Sequence, residues 1–237
     1  MRLAAIRHAD IPVSTIDLLA KLGVGTFYFA SILSIAAAFP ALDDSFDLHT
    51  AMRLASSVAI LMLNSLICLS IVLRGRAVAK ARGILPRIDA LTGAFASLSL
   101  PFLPWHDLGL GMDLLSIALV LAGGAGGAYA MLHLRSSFSL MAEARVMVTT
   151  GPYARVRHPL YLFEQMAVIG ALCKFASWAG LAIILLQMGF QWRRIRNEER
   201  VLSSTFPAYA DYMARTPRLI PSWRSRAADG EILEPGR

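Results

Sequence analysis

The chain is short of charge. Asp, Glu, Lys and Arg make up only 16% of its 237 residues, hydrophobic residues make up 56%, and mean hydropathy is +0.55. So few charges cannot cover the surface of an ordinary soluble domain of this length, and a protein that crosses a membrane several times is expected instead. Cysteine is also scarce. Cys68 and Cys173 lie in separate apolar runs without CxxC spacing, which gives no basis for a disulfide framework or a metal site and marks both as packing residues. Acids are the rarer sign, 16 against 23 Lys and Arg, for a net charge of +7. The cations are not interleaved with aromatics, so nucleic acid is not an expected partner. They flank apolar segments, where cations orient spans and touch anionic headgroups of the membrane lipids. The opening "MRLAAIRHADIPVS" has no short apolar core before a small-residue cleavage site, so no removable signal is expected.

What is present is a series of apolar runs. Crossing a hydrocarbon layer about 30 Å thick takes roughly 20 helical residues, and four stretches approach that length: 16–39, 54–73, 88–103 and 114–134. The loop after the first carries Asp43, Asp44 and Asp47 and no cation, whereas "RGRAVAKARGILPR" after the second is strongly basic. The positive-inside rule puts the acidic loop outside and the basic one, with the N-terminus, in the cytoplasm. Pro101 and Pro104 close the third span, with Trp105 at an interface position. Apolar character resumes over 160–192, broken by "CKFASW", and is read as a hairpin of about 13 and 16 residues, roughly 20 and 24 Å long, with both ends cytoplasmic. From Arg193 a cytoplasmic helical segment is expected, with Val201, Leu202, Phe206 and Tyr209 near one face. The expected fold is therefore all-α: a polytopic membrane helical bundle of about four spanning helices, a C-terminal helical hairpin and a cytoplasmic C-terminal helix. Residues 1–112 would form the N-terminal transmembrane region with its basic loop 74–87, 113–223 the cofactor-binding region, and 224–237 a mobile tail. The membrane is expected to be the bacterial inner membrane, with both termini and the site on the cytoplasmic side.

Three groups of residues suggest chemistry. In "AGGAGGA", Gly123 and Gly127 form a GxxxG that suits close helix packing, while the missing side chains would also let a flat ligand approach. In "TTGPYARVRHPLYLFEQ", a Gly151-Pro152 turn delivers Arg157 and His158 just before Pro159 at a helix start, where two cationic donors reinforce a helix terminus that already favours anions. Glu164 then lies one turn inside an apolar helix, where an ionisable group is expensive unless paired or facing a wet cavity. Lys174 or an arginine could be its partner. In "RRIRNEERVL", Glu198 and Glu199 return to the membrane face that presents His158, although Arg/Glu pairs at this spacing can also lace an exposed helix. A site with cations on one wall and carboxylates on the other suits S-adenosylmethionine, which carries a carboxylate, an ammonium, a sulfonium and a ribose diol.

The run "GPYARVRHPLY", followed by "NEERVL", "FPAYADYM" and "PRLIP", resembles the C-terminal signature of the isoprenylcysteine carboxyl methyltransferase and phospholipid methyltransferase superfamily. "EARVMVTTGPY" and "GGAGG" resemble its phosphatidylethanolamine N-methyltransferase branch as well. The resemblance covers 123–221 and implies an integral membrane enzyme that binds S-adenosylmethionine from the cytosol and methylates a lipophilic small molecule or lipid. Carried over position by position, it implies that His158, Pro159 and Tyr161 of the RHPxY motif contact the cofactor with Arg157, Glu198 and Glu199. It adds Gly124 and Gly126 as a glycine-rich contact and Tyr212 from the C-terminal segment. Arg196, with Arg194 as second choice, would orient the acceptor, and Glu199 or Glu164 would take a proton if the acceptor is an amine or thiol. The family pattern has glycine where this chain has Phe163, which changes the pocket floor. Two other readings remain open: an NADPH-dependent membrane reductase of the sterol-reductase type, and a non-catalytic membrane subunit.

Overall fold

Two of the expected spans form long apolar helices. In the computed structural model, which describes residues 25, 26, 29, 32, 33, 48–73, 77–104, 108–174 and 176–221, α1 runs Leu48–Leu73. It is followed by α2 at Leu85–Phe95, α3 at Leu110–Leu134, α4 at Pro159–Lys174, α5 at Trp178–Thr205 and α6 at Tyr209–Arg215. Among the described residues, α1 and α3 are long and apolar enough to cross a membrane, by length and composition. At ~1.5 Å per residue the 25 residues of α3 reach about 37 Å. The expected first span at 16–39, the acidic loop at 43–47, Trp105 and the tail 224–237 lie outside the described residues, apart from the five isolated positions given above.

The third expected span differs from a continuous α-helix. α2 stops at Phe95 and the chain continues as a 3₁₀ helix over Ala96–Phe102. Pro101 accounts for the change, because in an α-helix its ring would meet the carbonyl of Ser97 and it has no N–H to return to it. The second half of the expected hairpin also differs. The hairpin helix expected to end near Trp192 and the cytoplasmic helical segment expected from Arg193 are one element, α5, which continues without interruption from Trp178 through the charged cluster to Thr205, 28 residues. Its N-terminus is capped by Ser177, whose hydroxyl accepts from the Gly180 N–H at 3.0 Å. Arg and Glu continue a helix readily, Asn197 is held by a hydrogen bond to Asp89, and Arg194, Asn197 and Glu199 are all buried.

Helix α3 is sandwiched between α1 and α4, whereas α5 packs chiefly on α2. The glycines of α3 make the sandwich possible by serving two neighbours. A Cβ at Gly124 would lie 3.1 Å from the Ala59 backbone of α1, and one at Gly123 would lie 2.6 Å from both the Ala167 nitrogen and the Phe163 oxygen of α4. At Gly126 the obstacle would be the Phe163 ring, 2.2 Å away. Where the resemblance set a cofactor against Gly124 and Gly126, the structure sets Ala59 and Phe163.

Among the described residues there is also one small sheet. Strand β1 (Ala79–Lys80) pairs antiparallel with β2 (Glu143–Ala144), Ala79 opposite Ala144. Flanking hydrogen bonds from Val78 N to Ala144 O and from Ala81 N to Ala142 O, at 2.8 and 2.9 Å, extend the tie. It joins the basic loop after α1 to the connector after α3. Beneath it lies a second core, built from Ala142, Met147, Val201, Phe206, Tyr209 and Tyr212.

Candidate functional site

The turn before α4 is built to deliver two adjacent cations. Gly151 has φ +61, and a Cβ there would fall 2.2 Å from the His133 ring, so both backbone and space require glycine. A short 3₁₀ turn, Gly151–Ala154, follows. The next segment is held from outside by the C-terminal strap. Arg157 N donates to Pro217 O at 2.9 Å and His158 N donates to Arg218 O at 3.1 Å. Pro159, fully buried, then starts α4.

Glu199 of α5 meets this turn. His158 Nε2 lies 3.2 Å from Glu199 Oε1, Arg157 Nη2 lies 3.4 Å from the same oxygen, and Arg218 donates from Nε to Oε1 at 3.1 Å and from Nη2 to Oε2 at 2.6 Å. Burial raises the pKa of this carboxyl. The hydrogen bonds from His158 and Arg218 and the charges of His158 and Arg157 outweigh it, and the net effect lowers the group from 4.5 to about 2. The Glu199 hydrogen bond in turn pushes the Arg218 guanidinium up. His158 and Arg157, expected to present their donors to a ligand, thus hold Glu199.

One helical step away, Glu198 faces the other side of the same motif. The Tyr161 hydroxyl donates to Glu198 Oε2 at 2.6 Å, and the Arg194 guanidinium lies 4.7 Å from the centroid of the Tyr161 ring. Positions 187, 191, 194 and 198 form a polar stripe along α5. Gln187 Nε2 donates to Gly93 O at 2.9 Å and to Gln191 Oε1 at 3.2 Å. Gln191 Nε2 makes long contacts to Glu164 Oε2 at 3.4 Å and Tyr161 O at 3.5 Å. Glu164 therefore has Gln191 beside it, with the charge of Arg194 also acting on it; the side chain of Lys174 lies outside the described residues. On the opposite face Asn197 Nδ2 donates to the buried Asp89 of α2 at 2.8 Å, and Arg193 Nε lies 2.8 Å from the other Asp89 oxygen.

The remaining expected residues separate. Tyr212 donates to Tyr153 O at 2.7 Å and so ties α6 to the turn rather than facing open space. Arg196 is exposed, on the wall of an open groove of about 580 Å³ that Glu199, Arg200, Ser204, Met213 and Arg218 also line. Of the two arginines weighed for the acceptor, Arg194 is the one stacked on Tyr161 and Arg196 the one beside the groove. Sequence reasoning missed Arg218, although "PRLIP" stood among the quoted motifs, and it missed the Gln187/Gln191 pair, whose i, i+4 spacing in an apolar helix was a usable signal. Around the acid pair, Arg157 Nε and the hydroxyls of Tyr153 and Tyr209 are buried with no hydrogen-bond partner among the described residues. Burial pushes both tyrosines up, as do the neighbouring carboxylates, so these hydroxyls stay protonated.

Among the comparisons with known proteins, the match to a family sequence model falls on the same region. The sequence model of the isoprenylcysteine carboxyl methyltransferase (ICMT) family matches residues 116–204, which supports the superfamily seen in the RHPxY and paired-glutamate motifs. Over 76 residues the chain is 38% identical to the cobalt-zinc-cadmium resistance protein CzcN of Cupriavidus metallidurans, covering 32% of this chain and 35% of that one. Over 120 residues it is 30% identical to the nickel-cobalt-cadmium resistance protein NccN of Alcaligenes xylosoxydans xylosoxydans, covering 49% and 54%. The chain thus spans about a third and about half of the length of these curated relatives. Their names concern metals; among the described residues no group of three or more His, Cys, Asp or Glu side chains is placed to hold an ion.

Proposed function

We propose that this chain is an integral membrane methyltransferase that moves a methyl group from S-adenosylmethionine to a lipophilic acceptor on the cytoplasmic side of a bacterial inner membrane. The observation that carries the reading is the double pairing of His158 with Glu199 and Tyr161 with Glu198, which gathers one two-signed site from segments 41 and 37 residues apart. The donor set suits the cofactor. Unpartnered polar atoms of Arg157, Tyr153 and Tyr209 surround the acid pair, and the adjoining groove of about 580 Å³ falls in the range of small-molecule sites, ~300–1,000 Å³.

S-adenosylmethionine supplies an electrophilic methyl on sulfur and leaves as a neutral thioether, so no covalent nucleophile is required of the protein. Arg157, through its unpartnered Nε, would hold the amino-acid carboxylate while His158 stays on Glu199, and Glu198 would take the ammonium or ribose. Arg196, on the groove wall, would orient the polar end of the acceptor. Glu199 with its pKa near 2 is a poor proton acceptor at neutral pH, which leaves Glu164 for an amine or thiol acceptor; a carboxylate acceptor needs none. The family match lies with methyltransferases, which does not favour the reductase reading. The resistance named for the two relatives suggests that the product matters in cells exposed to cobalt, zinc, cadmium or nickel.

The test is ligand-dependent melting of the purified protein in detergent. S-adenosylhomocysteine at about 100 times its Kd should stabilise by about 2.7 kcal/mol, and NADPH should not. Stabilisation by NADPH alone would transfer the site to the reductase reading, and no shift with either would favour a non-catalytic subunit. Incubation with labelled methyl donor and total lipid extract would then identify the acceptor.

A further inference from the structure

A second cavity lies on the other side of Arg200, away from the His158–Glu199 cluster. It has a volume of about 460 Å³, and Lys80, Arg82, Pro86, Asn197, Arg200 and Ser204 are among the residues lining it. No acid lines it. Its cations come from two elements far apart in sequence, the loop 79–82 and the C-terminal part of α5, and both elements are fixed. The loop is pinned by the β1–β2 pair, with Lys80 3.5 Å from Glu143. Arg200 donates from Nη1 to Asn197 Oδ1 at 3.1 Å, and Asn197 is itself anchored on Asp89 at 2.8 Å. Glu143 balances Lys80, so the Arg82 and Arg200 guanidinium groups, both exposed, are the like charges facing the void, and their combined field attracts an anion.

We propose that this cleft is a binding site for a phosphate-bearing anion; it shares Arg200 and Ser204 with the groove beside Glu199 but draws Lys80 and Arg82 from the loop 79–82, and the proposal does not depend on the reading given for that groove. Two guanidinium groups and an ammonium approaching from different directions suit the several oxygens of a tetrahedral phosphate better than one planar carboxylate. The volume admits a phosphate ester or diphosphate rather than a simple halide. Position bears on the source. Arg200 is eight residues beyond Trp192, about 12 Å along the helix, whereas the headgroup layer on each side is about 5–8 Å deep. With α5 upright and Trp192 at the hydrocarbon boundary, the cleft would open to water beyond that layer, which favours a soluble phosphate compound over a bilayer lipid.

The probe is inorganic pyrophosphate, titrated calorimetrically into the full chain in neutral detergent at low salt, with phosphatidylglycerol against phosphatidylcholine in mixed micelles as the second arm. The expected result is saturable pyrophosphate binding that weakens at least tenfold in Arg82→Gln and in Arg200→Gln, and not in Arg155→Gln, an exposed cation outside the cleft. Phosphatidylglycerol binding with the same variant pattern would assign the same phosphate site to a lipid. Equal weakening in Arg155→Gln would reduce the effect to general charge and overturn the proposal, as would unchanged affinity in both cleft variants or no binding in either arm. Melting temperatures of the variants without ligand separate loss of binding from loss of fold.

Discussion

Replacing Gly123 by alanine tests whether the glycine run of α3 packs helices or admits a ligand. The new methyl would stand 2.6 Å from the Ala167 nitrogen and the Phe163 oxygen and 2.8 Å from the Ala167 Cβ. Ordinary carbon contacts begin near 3.5 Å, so α3 and α4 must separate by most of an ångström, and the obstacle is backbone that cannot rotate away. Overpacking of this kind costs about 1–3 kcal/mol, and alanine recovers about 1 kcal/mol of helix propensity, for a net loss of up to about 2 kcal/mol. Gly111→Ala in the same helix is the control, because a Cβ there meets nothing within 4 Å. It should be neutral or up to about 1 kcal/mol more stable. The assay is thermal or denaturant unfolding in detergent, read beside affinity for S-adenosylhomocysteine. Gly123→Ala that keeps full stability but loses ligand affinity would refute the packing account and return the glycines to the ligand.

Gly126→Ala should be destabilised less than Gly123→Ala and rescued by Phe163→Ala, since its obstacle is a side-chain ring and a double-mutant cycle isolates that contact. Tyr161→Phe removes a 2.6 Å hydrogen bond to a carboxylate and should lower stability by about 1.5–3 kcal/mol by equilibrium unfolding. Asp89→Ala strands the buried Asn197 amide and should cost about 1–3 kcal/mol, whereas Asp89→Asn keeps an acceptor and loses less; Arg193 is largely exposed and adds little. Glu199 sets a pH dependence. Its folded value of about 2 is below the ordinary 4.5, so its contribution is complete above about pH 4.5 and is lost as pH falls towards 2. Melting temperature in that window should fall less steeply for Glu199→Gln than for the unmodified chain.

The parts legible in the sequence were those written locally. His158 and Tyr161 are three residues apart at a helix start, Glu198 and Glu199 are adjacent, and the polar-to-apolar change on either side of them is abrupt enough to place both motifs at one end of the bundle. Helices α1 and α3 announced themselves by length and hydropathy. What stayed hidden depends on distance along the chain. Asp89 and Asn197 are 108 residues apart, and nothing in "RIDALTG" distinguishes a buried anchor from an interfacial charge. Arg218 reaches Glu199 only because the strap at Pro217 folds back over the RHP turn, a closure set by backbone hydrogen bonds that carry no residue code. The glycine spacing signalled close approach, but one run serving α1 through Gly124 and α4 through Gly123 cannot be read without both neighbours. The two-residue strands are too short to leave any periodic trace.

The uninterrupted course of α5 has a mechanical consequence. Trp178 and Glu199 sit on one rigid rod, 21 residues and about 32 Å apart, so a lean of 5° about the tryptophan end displaces the carboxylate by roughly 3 Å. That is the whole length of its bond to His158. Lipid chain length, which sets how far such a rod leans, would thereby bear on the His158–Glu199 pair, with reconstitution into short-tailed or long-tailed bilayers as the hand on it.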